Sequence, residues 1–277
     1  MISVQTRRAL AADARAGFPS RRAKAGLVRA RAAFARAVWN ANGERRLPTA
    51  PELDRALEAL PPPELEWLCE LAPLGPLYLL PTTRWISTLA VKIRSLGARR
   101  VLEVGAGDGF VSRCLAKAAP GLEVRASDSG AWTQAQARMN EEERTRLAGS
   151  QVPGVRLGEE VWRTGAVRAI GQWRPDLVLA CWLPPGPLLD RIVRTNVRWV
   201  LEVGAAGGVT PGAWSWRLNH DFCDGEPVET LARCRLDARP RVELHSRVTL
   251  YFGAAHPDHA VARVKEGDWL WQFKPES

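Results

Sequence analysis

Three glycines near residue 105 and a carboxylate at residue 128 have the types and spacing of a nucleoside-binding site. Gly105, Gly107 and Gly109 alternate with other residues directly after the apolar run 101–104. Because glycine has no Cβ, such a loop can turn sharply and bring its backbone close to a ligand. Asp128 follows the next apolar segment, where its carboxylate can accept hydrogen bonds from both hydroxyls of a ribose. These residues predict a nucleoside-containing ligand.

The elements that must position this loop are a buried strand before it and a helix after it. Residues 101–104 form the short apolar run of a strand covered on both faces, and Val111 and Leu115 continue as a helix. A dinucleotide fingerprint, GxGxxG/A, requires a small residue at position 110, where this chain has Phe110. The sequence therefore disfavours NAD and FAD. A tight turn without a ligand is the alternative interpretation of the glycines.

The GxGxG spacing, with Glu103 before the first glycine and Asp108 within the loop, resembles motif I of the class I S-adenosylmethionine (SAM) methyltransferases. The resemblance covers about residues 76–260 and implies SAM as the cofactor. The positions that it assigns to cofactor binding are Glu103, Gly105, Ala106, Gly107, Gly109, Asp128, Ser129, Thr164 and Cys181. For Thr164, a helix N-cap is the alternative, because a predicted helix follows at 166–170.

A second loop leaves the carboxyl end of another predicted strand, 176–180, within the sequence PDLVLACWLPPG. Ligands bind beyond the carboxyl ends of strands in open α/β sheets, so this loop should face the methyl donor. The position resembles methyltransferase motif IV, but Leu183 and Gly186 stand where amino-directed members have a polar and an aromatic residue. Trp182 can form an apolar wall for a substrate ring, and a plain core position is the alternative.

The resemblance implies an α/β fold with a seven-stranded, mostly parallel Rossmann-like sheet, an antiparallel last strand and an all-helical N-terminal cap. Strand five is expected within 200–209. Segments 230–236 and 247–252 are predicted as strands six and seven, a reversed pair. We assign residues 1–75 to the cap and residues 76–277 to the methyltransferase domain.

Two helical stretches form the predicted cap, one within the basic segment 1–46 and one over 50–71, with a turn at 61–63. In class I methyltransferases such caps commonly shape the substrate pocket. The substrate-binding candidates are therefore Tyr78, Arg84 and Trp85, just before the helix that leads to strand one, together with Trp182 and Pro184. Alternatively, Tyr78 and Trp85 seat the cap on the sheet.

The implied reaction is methyl transfer from a sulfonium to an O or N atom by in-line displacement. Because the donor is already activated, alignment in a dry pocket provides most of the catalysis, and only a poorly ionised acceptor needs a general base. His220 and Asp221, after the strand-five loop, are the candidates for that base, with a surface pair as the alternative. The sequence has no metal-ligand cluster and no serine or cysteine triad signature.

The net charge of +9 is concentrated in residues 1–46, which hold eleven Arg or Lys and two acidic residues. Arg22, Arg29 and Arg36 recur every seven residues on one predicted helix face, where they can meet RNA phosphates, an acidic substrate or a peptide. An ordinary solvated helix face is the alternative. An Arg-rich, acid-poor start also resembles a transit peptide.

Length and composition set the broader expectations. With 277 residues and 46% hydrophobic content the chain can bury a full α/β core. It has no apolar run near the ~20 residues that span a bilayer, so we expect no membrane association. Five cysteines without a CxxC pair indicate reduced thiols and a cytoplasmic protein.

The expected partner is a small-molecule substrate, because the cap is short, the loop at Trp182 is apolar and no RNA-binding module is recognised. Two alternatives stay open. One is an RNA or protein methyltransferase anchored by the arginine-rich N-terminus, and the other is a SAM-binding scaffold without activity. The acceptor, the target atom and the oligomeric state are left open by the sequence.

Overall fold

The computed structural model describes residues 21–70, 72, 76–131, 156–183, 186–205, 217–223, 225–230 and 246–259. The helices are α1 (Arg21–Val38), α2 (Ala50–Glu58), α3 (Pro62–Glu70), α4 (Thr83–Ser95), α5 (Phe110–Ala118), α6 (Ala166–Trp173), α7 (Leu188–Val193) and α8 (Pro227–Thr230). The strands are β1 (Arg100–Val104), β2 (Glu123–Asp128), β3 (Trp162–Arg163), β4 (Leu177–Cys181), β5 (Trp199–Ala205), β6 (His220–Phe222) and β7 (Ser246–Phe252).

The strands form one sheet in the order β3-β2-β1-β4-β5-β7-β6. Neighbouring strands pair in parallel, except that β7 lies between β5 and β6 and is antiparallel to both. The seven-stranded, mostly parallel sheet with an antiparallel last strand is therefore confirmed. From β1, the chain adds β2 and β3 on one side of the sheet and then β4 and β5 on the other side. The point between β1 and β4 is therefore a topological switch point, where a crevice opens at the carboxyl ends of the strands.

The predicted position of the sixth strand is not confirmed. The sixth described strand is β6 at 220–222, whereas Thr230 ends α8 and the rest of the predicted segment 230–236 lies outside the described part of the chain. The last two strands form the predicted reversed pair, because β7 lies between β5 and β6 and runs antiparallel to both. A three-residue edge strand has too little alternation of apolar and polar residues to be recognised from sequence.

Two other strands lie slightly further along the chain than predicted. β2 includes Asp128, and β4 includes Cys181. Both residues were expected to follow their strands, and each is instead the last residue of its strand. Their placement at the carboxyl edge of the sheet is unchanged by this shift.

Side-chain caps define where the helices before the sheet begin. Thr49 and Glu52 form a capping box at the start of α2, in which each side chain accepts a hydrogen bond from the other residue's backbone N–H. At the start of α4, Thr82 Oγ1 accepts a hydrogen bond from Trp85 N–H at 3.1 Å. These contacts satisfy N–H groups that have no partner within their own helix.

Apolar clusters cover the two faces of the sheet. α4 and α5 pack together and contribute to the cluster on one face, which contains Leu89 and Leu115. α6 and α7 contribute Ile170 and Ile192 to the cluster on the other face. The strands between them are almost continuously apolar because both of their faces are buried.

A third cluster lies in the N-terminal helical layer, formed by α1, α2, α3 and the segment that follows them. On α1, Phe34 and Val38 are buried whereas Arg29 and Arg36 are exposed, as the predicted helix face requires. Leu77 and Leu80 belong to this same cluster. The division of the chain at residue 75 stays a prediction, and residues 1–20 lie outside the described part.

The described helices include none that is long and apolar enough to cross a membrane. The four described cysteines, Cys69, Cys114, Cys181 and Cys223, are free thiols.

Replacing Trp85 by Phe should destabilise the fold by about 2 kcal/mol, because the smaller ring leaves a void and the Val228 carbonyl loses its indole donor. Trp85 is fully buried, and its Nε1 donates to that carbonyl at 3.1 Å. Urea unfolding provides the measurement. The matched control, Val91→Ala, is 62% exposed on the same helix and should change stability by less than about 0.5 kcal/mol. Equal effects of the two variants would contradict the packing described here.

Candidate functional site

The glycine loop connects the carboxyl end of β1 to α5, at the switch point of the sheet. Gly105 and Gly109 have φ values of +64° and +68°, a backbone conformation that side chains disfavour. A Cβ at Gly105 would come within 3.0 Å of Leu183 Cδ2, and a Cβ at Gly109 within 2.8 Å of Val161 Cγ2. The left-handed conformation favours glycine at both positions, and any other residue would also have to displace one of these side chains.

Asp128 holds this loop from the neighbouring strand. Its Oδ2 accepts a hydrogen bond from Gly107 N–H at 3.0 Å, and its Oδ1 accepts one from Gly130 N–H at 2.8 Å. The side chain is partly exposed. A carboxylate has about four lone-pair sites, so two remain for ligand hydroxyl groups. The arrangement brings the predicted ribose acceptor directly to the predicted glycine loop.

The residues after β3 reach the same place. Thr164 N–H donates to the Asp128 carbonyl at 3.1 Å, which places Thr164 beside the end of β2. The N-cap of α6 is Gly165, so the N-cap interpretation of Thr164 is wrong. Ser129 is exposed, and its Oγ accepts a hydrogen bond from Ala131 N–H at 3.2 Å.

Glu103 lies beneath the loop and is 3% exposed. Its Oε2 accepts hydrogen bonds from Ser112 N–H at 2.9 Å and from Ser112 Oγ–H at 2.6 Å, which ties β1 to α5. Burial raises the pKa of Glu103 to about 7, against the lowering effect of the two Ser112 hydrogen bonds. The Glu103 carboxyl therefore stabilises the connection between β1 and α5.

At the end of β4, Trp182 follows Cys181 in a left-handed conformation with φ of +55°. A bulky residue rarely adopts this conformation, which accumulates at functional sites. The Trp182 ring stacks on Tyr78, with ring centroids 5.8 Å apart and an interplanar angle of 19°. Trp182 is 9% exposed, and its Nε1 has no hydrogen-bond partner among the described residues. Burial, with the charges of Glu103 and Glu202, holds the pKa of the Cys181 thiol well above its ordinary value.

The predicted substrate residues are only partly brought together. Tyr78 and Trp182 are in contact, whereas Trp85 is fully buried in the core below them. Arg84 is exposed on the first turn of α4. Pro184 lies outside the described residues.

His220 and Asp221, predicted to follow the strand-five loop, lie in β6. As consecutive strand residues they point to opposite faces of the sheet. His220 pairs with Tyr251, in the same register row as Val200 near the start of β5, and β6 is four strands from β1. With strands about 4.8 Å apart, the glycine loop is roughly 19 Å away across the sheet. The structure does not bring this pair to the loop, and its catalytic role stays a prediction.

Two residues at the site have no sequence signal. Arg45, from the segment between α1 and α2, makes an ion pair with Asp108 in the glycine loop, 63 positions along the chain. Gly158 N–H donates to the Gly107 carbonyl at 3.3 Å. Neither residue belongs to a local pattern, so only the folded chain reveals them.

The geometry fits an adenosyl cofactor better than a metal ion. The described residues contain no group of three His, Cys, Asp or Glu side chains suited to a metal. Asp128 instead offers free lone pairs beside the glycine loop. Among the cofactor candidates, Gly105, Ala106, Gly107, Gly109, Asp128 and Thr164 lie at or beside the ends of β1 and β2.

Glu103→Gln should change the pH dependence of stability. Because the folded pKa of about 7 lies above the ordinary value of 4.5, the stability contributed by this carboxyl is complete below pH 4.5 and is lost as the pH rises through 7. Relative to the Gln variant, wild-type stability should fall by roughly 2 kcal/mol between about pH 5 and pH 8. Urea titrations at several pH values measure this difference. The exposed Glu123→Gln is the matched control and should follow the wild-type profile, whereas a wild-type profile in Glu103→Gln would contradict the assignment.

No protein-family model and no curated protein matches this chain. Among solved structures, it is similar to the methyltransferase domain of bacterial CtHen1, with 12% identity, a TM-score of 0.36, and coverage of 61% of this chain and 98% of that one. It is also similar to the mitomycin 7-O-methyltransferase MmcR, with 14% identity, a TM-score of 0.33, and coverage of 62% and 54%. A third is human N-acetylserotonin methyltransferase in complex with SAM, with 11% identity, a TM-score of 0.35, and coverage of 62% and 51%. The chain thus spans about half the length of the last two. By its own strand order, the chain has the Rossmann-like fold that its motif I resemblance implies.

Proposed function

We propose that this chain is a SAM-dependent methyltransferase. The observation that carries the proposal is the Asp128 carboxylate, which bonds to Gly107 N–H at the switch point and keeps lone pairs free for ribose hydroxyls. Phe110, 5% exposed directly after the loop, fills the position where a dinucleotide fingerprint requires a small residue. The site therefore favours an adenosyl ligand over NAD.

In this proposal the residues of the chain bind, orient and exclude water. When bound, SAM supplies a methyl group on a positively charged sulfur, and in-line displacement transfers this group to the acceptor. Asp128 accepts hydrogen bonds from the ribose hydroxyls, and the glycine loop lets the ligand approach the backbone closely. Trp182 and Tyr78 form apolar surface beside Cys181, which keeps the neighbourhood of the reacting atoms dry. The proton of the acceptor passes to solvent.

The acceptor that this surface favours is a small molecule with a planar ring, methylated on O or N. Trp182 and Tyr78 form a stacked aromatic pair at this edge of the sheet, and the buried Trp182 Nε1 is a donor without a partner among the described residues. An indole N–H that is buried usually finds an acceptor, and a ligand oxygen or nitrogen can provide one. We place the protein in the cytoplasm, in agreement with its four described free thiols.

The exposure of Arg29 and Arg36 on one face of α1 favours a second candidate, an RNA or protein methyltransferase. Under that proposal, RNA affinity falls steeply with salt concentration, because phosphate contacts release counterions. Charge-neutralising changes at both arginines would reduce this salt dependence. A protein that binds SAM but turns over no acceptor would instead be a scaffold.

Calorimetric titration with SAM, S-adenosylhomocysteine (SAH) and NAD tests the cofactor. Wild type should bind both adenosyl ligands and not NAD. Asp128→Asn should weaken SAH binding about tenfold to a hundredfold, because it removes charge-assisted hydrogen bonds to the ribose. Glu123→Gln, an exposed carboxylate on the same strand, should bind like wild type. Preference for NAD, or no adenosyl binding, would overturn the proposal.

A panel of phenols, heteroaromatic alcohols and aromatic amines, with SAH release as the readout, tests the acceptor. For any substrate found, Trp182→Phe should lower kcat/KM about tenfold, because it keeps a ring but removes the indole N–H. SAH affinity should stay within about twofold of wild type. Trp67→Phe, at a half-exposed position on α3, is the matched control. Unchanged kcat/KM in Trp182→Phe would remove this residue from the acceptor site.

A further inference from the structure

Arg45 reaches from the N-terminal helical layer into the glycine loop. Its Nη1 lies 3.2 Å from both carboxylate oxygens of Asp108, and its Nη2 donates to the Leu79 carbonyl at 3.4 Å. The side chains of Arg45 and Asp108 are only 11% and 15% exposed. An ion pair with this little solvent is screened weakly, so its geometry and charge matter more than those of a surface pair.

The same guanidinium lies over the Phe110 ring, 4.1 Å from its centroid. Arg45 therefore contacts the residues on both sides of Gly109, whose backbone is left-handed with φ of +68°. Asp108 Oδ1 also accepts a hydrogen bond from Phe110 N–H at 3.1 Å, at the start of α5. These contacts hold the turn from loop to helix in one conformation.

Charge gives Arg45 a second effect on the loop. Glu103 lies beneath the loop, Asp128 beside it and Asp108 within it, so three acidic side chains lie at the glycine loop. The charge of Asp108 raises the pKa of Glu103, and the charge of Arg45 lowers it. Without Arg45, the largely buried Asp108 carboxylate would have no compensating charge from the N-terminal layer. That uncompensated buried charge would destabilise the loop conformation seen in the structure.

We propose that Arg45 is a positioning residue of the cofactor site, so that the N-terminal helical layer sets cofactor affinity by neutralising Asp108 and fixing the glycine loop. This inference rests on the proposed function, because it assumes that the loop binds the adenosyl cofactor. The inference extends the proposed function, because the N-terminal layer then affects cofactor binding and does not only cover the acceptor site.

The test compares SAH dissociation constants and melting temperatures of the full chain and its variants. Arg45→Met keeps most of the apolar stem but removes the charge, and should weaken SAH binding about tenfold. The control is Arg46→Met at the adjacent position, where the arginine pairs with Glu52 and donates to the Arg36 carbonyl. It should lower the melting temperature by less, because the Arg46–Glu52 pair is more exposed, and leave SAH affinity within twofold of wild type. If Arg45→Met acted only through a general loss of stability, its SAH affinity measured well below its melting temperature would also stay within twofold of wild type.

The double variant Arg45→Met/Asp108→Asn tests whether the effect passes through Asp108. Because it removes both charges, it should fold and bind SAH within about threefold of Asp108→Asn alone. This comparison also decides the matter if Arg45→Met does not fold. A tenfold gap between the double variant and Asp108→Asn would overturn the proposal, as would wild-type affinity in Arg45→Met. If wild type itself does not bind SAH, the proposed function fails, and this inference fails with it.

Discussion

The hydrogen bond from Gly107 N–H to the Asp128 carboxylate is the contact on which the site depends. It forms only if β1 and β2 pair in parallel and in register, so that their carboxyl ends stop side by side. The left-handed glycines then turn the chain at this edge rather than above it. The apolar strands and the helices on both faces stabilise that register, and the site follows from it.

Several acidic side chains lie at the glycine loop, and two of them have specific partners. Glu103 is buried with a raised pKa and is bonded to Ser112, which ties α5 to β1. Asp108 is paired with Arg45, a residue of the N-terminal layer. Phe110, which departs from the dinucleotide pattern, supplies the ring beneath that guanidinium. Phe110 thus both disfavours NAD and provides the ring on which Arg45 of the N-terminal layer packs.

On the other side of the switch point, β4 ends in an aromatic pair instead of charged groups. Trp182 takes a strained left-handed backbone conformation and stacks on Tyr78, which precedes α4. The N-terminal part of the chain therefore touches both sides of the crevice, once through an ion pair and once through ring stacking. The two sides of the switch point therefore differ in polarity.

Local pattern determined the strand, the glycine loop, the helix after it and the position of Asp128, because each is encoded by neighbouring residue types and short spacings. The antiparallel β7 followed from its own apolar run and the family resemblance. Tertiary structure alone placed the sixth strand at His220–Phe222, since three residues at a sheet edge carry no readable period. It also paired Arg45 with Asp108 and buried Trp85 in the core. Such contacts join distant parts of the chain, and their energy depends on distances that only packing creates.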